Sequence, residues 1–162
     1  MGDAYLSEYS TRLLYIYFAE VTLGLIFFFI FRHFGKLYRR RFLITWSLSW
    51  MAYAIYMGTS GFVFVFLIKT QSWFRDSLSI IAQLACFLQI IMILRGTYEL
   101  IYERAFSKGK FRLIFFVSFA IALISVLSFG QAGPFSRYLV SFGSRAVITG
   151  IGFLVAGIVV WT

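Results

Sequence analysis

Residues 13–31 read LLYIYFAEVTLGLIFFFIF, and residues 32–41 read RHFGKLYRRR. The first stretch is apolar almost throughout and has the length, ~20 residues, that a helix needs to cross a bilayer. The second stretch carries Arg32, Lys36, Arg39, Arg40 and Arg41 with no acidic residue among them. An apolar run closed by a basic cluster is the pattern of a membrane span followed by a cytoplasmic loop.

The same pattern repeats outward from this point. Further apolar runs occupy 42–68, 73–101, 111–129 and 138–162, the last beginning as late as Ala146 on a narrower reading. Each is long enough to span, and each is continuously apolar rather than alternating, which favours helices over a barrel. The expected fold is an all-α integral membrane protein, a single membrane domain built as a bundle of about five transmembrane helices. Composition agrees: 61% of the 162 residues are hydrophobic and 13% are charged, against ~45–50% and ~25% in a soluble domain. A small water-soluble fold could not hide that excess. No basic leader region or small-residue cleavage site precedes the first run, so that span is expected to stay in the protein.

The basic residues set the orientation. Loop one holds five of them, and the region from Arg95 through Arg104, Lys108 and Lys110 to Arg112 holds five more, ten of the fifteen in the chain. The positive-inside rule then predicts both loops in the cytoplasm, the N-terminus outside and, with five spans, the C-terminus inside. The net charge of +9 is thereby read as membrane orientation, and nucleic acid is not expected as a partner. The expected location is the bacterial cytoplasmic (inner) membrane. The segment 158–162 is apolar to its last residue, which leads to the expectation that the chain is the front part of something longer.

Several polar residues within the runs are candidates for function. Glu20 is an acid inside the first span, and intramembrane acids are costly and often functional. Arg145 is its natural partner if the fifth helix begins at Tyr138. On the third run Ser79, Gln83 and Cys86 fall at helical spacing with Gln89 at their edge, a stripe expected to face the bundle interior as a helix contact or a small-molecule pocket. Arg95, Glu99 and Glu103 follow at intervals of four and read as a solvated charged ridge where that helix leaves the membrane. Gly143, Gly150 and Gly157, with Ala146 on the same side, form a small-residue seam suited to close helix packing. Trp46 and Trp50, one turn apart after Arg39, Arg40 and Arg41, read as interfacial anchors.

Other chemistry is excluded by what the chain lacks. His33 is its only histidine and Cys86 its only cysteine, which excludes bis-histidine haem ligation, most zinc sites and dithiol redox chemistry. No Lys lies mid-span and no Gly-rich phosphate loop occurs. No cofactor, metal or catalytic activity is expected. The expected partners are the lipid bilayer and other membrane helices, in a homodimer or a larger complex.

The segment 38–54, YRRRFLITWSLSWMAYA, resembles the basic loop and W-x-x-x-W helix start of the N-terminal multi-span sensor regions of bacterial histidine kinases and GGDEF-type signalling proteins. The segment 94–100, LRGTYEL, is similar to the G-x-Y end of a later helix in those proteins. The resemblance implies a sensory input module whose fifth helix leads to a cytoplasmic output domain, although no such domain stands within these residues. Two other readings stay open beside it. One is a non-catalytic accessory subunit of a larger respiratory or photosynthetic membrane complex. The other is a small transporter with Glu20 and the Gln83–Gln89 stripe along its path.

Overall fold

A computed structural model describes residues 2–67 and 73–129, together with positions 150 and 154. All regular structure among the described residues is helical: α1 (Gly2–Leu37), α2 (Arg41–Phe66), α3 (Trp73–Tyr102) and α4 (Lys108–Phe129). All four are long and apolar enough to cross a membrane. They coincide with the first four expected spans. The fifth, 138–162, lies outside the described residues except at Gly150 and Leu154.

α1 runs past the end of its apolar stretch, through Arg32 to Leu37. No proline interrupts it, and nothing at the headgroup level requires a helix to stop where hydrocarbon ends. The chain then turns within three residues. Tyr38 still donates its backbone N–H to the Phe34 carbonyl at 2.9 Å, and Arg39 takes a left-handed conformation, φ 53°. That conformation usually falls to glycine at a helix C-terminus, because a Cβ there meets the backbone. So tight a turn sends α2 back antiparallel to α1.

The α1–α2 interface keeps that register along its length. Phe27 stacks on Trp50 with ring centroids 4.6 Å apart, and Phe31 meets Trp46 edge-on at 6.1 Å. Both pairs are spaced by one helical turn and run in opposite order on the two helices. Small residues bring the backbones close at the other contacts. A Cβ placed on Gly24 would stand 3.1 Å from the Ala54 Cβ, and one on Gly61 would stand 2.7 Å from the Tyr17 ring. Close approach through small residues is how helices associate in a bilayer, where lipid is as apolar as any leucine.

α3 lies along α2, again antiparallel, and α4 touches α3 at the connection between them. There the Arg95 guanidinium sits over the Phe111 ring at 5.3 Å, and Tyr98 meets Phe106 at 5.5 Å. The buried centre of the bundle is mostly small and polar: Thr45, Ser47, Ser49, Ala52 and Ala54 on α2, and Ala82, Gln83, Ala85, Cys86, Gln89, Gly96, Thr97 and Glu99 on α3, joined by the larger Phe87 and Ile90.

Candidate functional site

The α2 sequence T-W-S-L-S-W-M-A-Y places hydroxyls at Thr45, Ser49 and Tyr53, four residues apart. Four residues turn an α-helix about 40° beyond a full circle, so such a row winds slowly round the helix. On α2 it winds from the α3 side to the α1 side. Thr45 Oγ1 donates to Glu99 Oε2 at 2.7 Å, and Ser49 Oγ donates to the backbone carbonyl of Gln89 at 2.9 Å. Tyr53 donates its phenolic hydrogen to Glu20 of α1. One stripe of hydroxyls therefore ties α2 to both neighbours, with a carboxylate at each end.

Glu99 is the better enclosed of the two acids. Its side chain is 4% exposed and receives a second hydrogen bond, from Arg95 Nε to Oε1 at 2.8 Å. The sequence pattern read Arg95, Glu99 and Glu103 as a solvated ridge, and the structure corrects this for Glu99. A helix presents residues four apart on one face, but Thr45 of α2 covers the middle of this one. Arg95 is half-exposed and reaches across to α4, while Glu103 lies beyond the last helical turn and is exposed.

Between these bonds the packing is steric. The Trp46 indole lies directly on Gly96, where a Cβ would come within 2.3 Å of Cδ1 and 2.5 Å of Nε1. The indole N–H is buried there with no hydrogen-bond partner among the described residues. Gln83 and Cys86 are 1% exposed, Gln89 is 8% exposed, and Ser79 is half-buried. These members of the α3 stripe thus share the interior with the α2 hydroxyls. Trp46 and Trp50 lie against Phe31 and Phe27 of α1.

Arg145, Gly143, Ala146 and Gly157 lie outside the described residues. Gly150 is described, and a Cβ there would meet no atom within 4 Å. Glu20 is described, and it accepts the hydrogen bond of the Tyr53 hydroxyl.

At the basic end of the bundle the α1–α2 turn, the start of α2 and the end of α3 border an open cleft of about 270 Å³. It is lined by Arg39, Arg40, Arg41 and Phe42 on one side and by Glu99, Leu100, Glu103 and Arg104 on the other. Among the described residues no group of three or more His, Cys, Asp or Glu side chains is placed to hold a metal ion.

The pattern analysis missed Thr45, Ser49 and Tyr53, although their four-residue spacing was present in the sequence. Trp46 and Trp50 occupy the same segment and carry the stronger pattern. Glu99 was legible as a charge but not as a buried one, because its cover comes from a helix more than fifty residues away. No family model, no curated protein and no solved structure matches the chain.

Proposed function

We propose that this chain is a membrane-embedded sensory or signal-transduction input region with no catalytic activity of its own. It sits in the bacterial cytoplasmic membrane with the N-terminus outside and the basic end in the cytoplasm. The observation that carries the reading is the hydroxyl stripe of α2, which joins Glu20 on one neighbour to Glu99 on the other.

Interhelical hydrogen bonds in membrane proteins are individually modest, averaging ~0.6 kcal/mol in double-mutant cycles. A helix held by a few such bonds on either side can exchange them when it rotates or slides. Movement of α2 against Glu20 at one level would then alter what Thr45 offers Glu99 at another. Glu99 is bonded to Arg95, which contacts Phe111 of α4, so the displacement reaches the connection where α3 ends. This gives an input region what it needs: two arrangements of one packed element, biased from one side and read from the other.

The second reading is a non-catalytic accessory subunit of a larger membrane complex. It is favoured by α4, whose large apolar side chains Leu113, Phe116, Ile124 and Leu127 are all at least 60% exposed. The intact mass of the protein, purified from its own membrane in mild detergent with whatever accompanies it, separates the two. A mass far above 18.7 kDa, with a cytoplasmic output portion, is the expected result. A mass near 18.7 kDa with stoichiometric companion subunits would overturn the sensory reading.

A further inference from the structure

The cleft at the basic end is not used by the hydroxyl stripe, apart from Glu99 in its wall. Four arginines line it, Arg39, Arg40, Arg41 and Arg104. All four residues are exposed, and among the described residues none has a hydrogen-bond or ion-pair partner for its side chain. Glu99 is already matched by Arg95, which leaves Glu103 as the one lining carboxylate to set against four cations. Four like charges gather here against a single carboxylate not already matched.

The backbone adds to this. Arg39 and Glu103, which line the cleft from opposite sides, are the two non-glycine residues of positive φ among the described residues, at 53° and 50°. Such a conformation is unfavourable for a residue that carries a Cβ. It recurs where a local arrangement serves a site. Arg40 caps α2 in an extended conformation with no side-chain hydrogen bond to the first turn. The first N–H groups of α2 are therefore left without a side-chain acceptor at the positive end of the helix dipole.

We infer that this cleft binds a phosphate-bearing anion, and its place commits the occupant to the headgroup of an acidic phospholipid. The cleft lies where three membrane-length helices end, which in the proposed membrane arrangement is the headgroup level, and Phe42 and Leu100 stand beside the arginines. Basic pockets between transmembrane helices hold anionic headgroups in this manner, and planar guanidiniums match phosphate oxygens two at a time. The inference rests on the cleft alone and stands for a sensor or for a structural subunit.

The test uses the full chain in a neutral detergent, with phosphatidylglycerol as probe and phosphatidylcholine as comparison. Bound lipid is read by native mass spectrometry, and stabilisation by the thermal midpoint. Phosphatidylglycerol should be retained and should raise the midpoint, while phosphatidylcholine should do neither. The paired variant R40Q/R104Q should weaken retention by about tenfold or more, because each surface arginine contributes noticeably to attraction for anionic lipid. The variant K110Q/R112Q removes the same charge from the same end but outside the cleft, and retention should change by less than about twofold. Inorganic phosphate at millimolar concentration is added separately. If it displaces the lipid and stabilises the wild type equally, the site stands with free phosphate as its occupant. Equal losses in the two variants would mean a diffuse basic surface and would overturn the proposal. Failure of wild type to discriminate between the two lipids would also overturn it, even if R40Q/R104Q failed to fold.

Discussion

α3 and α4 are adjacent in sequence, both apolar and both long enough to span, yet they are used differently. In its most apolar stretch α3 has 39% of its residues buried within the described bundle, and α4 has 6%. The difference does not lie in how hydrophobic they are. α3 carries Gln83, Cys86, Gln89, Gly96, Thr97 and Glu99, all of them buried. Among the residues of α4 whose burial is described, only Ala122 is buried. In water the apolar helix would be the one driven inward. In hydrocarbon, apolar surface has no reason to leave the lipid, and burial goes to the helix with small and polar residues to satisfy.

The comparison breaks most severely at Gly96. A methyl group there would overlap two atoms of the Trp46 ring, and an indole cannot flex aside as a long aliphatic chain can. Gly96→Ala should cost about 3 kcal/mol, the upper part of the range for overpacking a filled site. Thermal midpoints in detergent would register the loss, and Trp46→Leu in the same chain should recover much of it. An unchanged midpoint would mean that α2 and α3 do not meet through this contact.

Glu99 comes next. Glu99→Leu leaves the Thr45 hydroxyl and the Arg95 guanidinium without their shared acceptor. The expected cost is about 2 kcal/mol, held to that level because the Arg95 side chain is 30% exposed and can turn to water. Glu99→Gln keeps an acceptor for Thr45 and should lose about half as much. Equal losses would place the stabilisation in the charge pair, and a negligible loss from Glu99→Leu would make the carboxylate a surface group after all.

These two sites also mark what the sequence made legible. Four spans could be read directly, because continuous apolar length and basic flanks are local properties. The small-residue seam was sought on the fifth run, through Gly143, Gly150 and Gly157. That run lies outside the described residues except at Gly150 and Leu154, and the seam the structure does describe is shared between α1 and α2, at Gly24, Ala54 and Gly61. The seam needed two helices to be recognised, since Gly24 stands alone in its own run. Glu99 was hidden for the same reason, its cover being supplied by Thr45. In a membrane bundle, helix length is written along the chain, whereas pairing is written across it.

Tyr53 sharpens the comparison from the α1 side. Tyr53→Phe deletes the hydroxyl that Glu20 accepts while keeping the ring in contact with Trp50. A loss of about 0.6 kcal/mol is expected, the ordinary worth of an interhelical hydrogen bond in a membrane protein. Combined with Glu20→Leu, which leaves no acceptor, the pair should lose less than the two single losses added, because both remove the same bond. Strict additivity would mean that the two side chains do not cooperate in the membrane.

The smallest expected effect is on α4, where it decides most about the comparison. Phe116 is 65% exposed and Leu113 is 66% exposed, on the face that α3 does not cover. If that face meets lipid, Phe116→Ala exchanges one lipid-facing group for another and leaves helix packing as it was. The change in stability should then fall within about 0.5 kcal/mol, as at other positions without packing partners. A loss of several kcal/mol is the signature of an aromatic ring removed from a packed site. Measured on the chain alone and again in its native assembly, the same substitution would separate lipid from protein at this face. Neutral in both, α4 is the lipid-facing edge of the bundle, set apart from α3 by what it lacks. Neutral alone and costly in the assembly, it is the face by which the bundle joins a partner, and the accessory reading gains what the sensory reading loses.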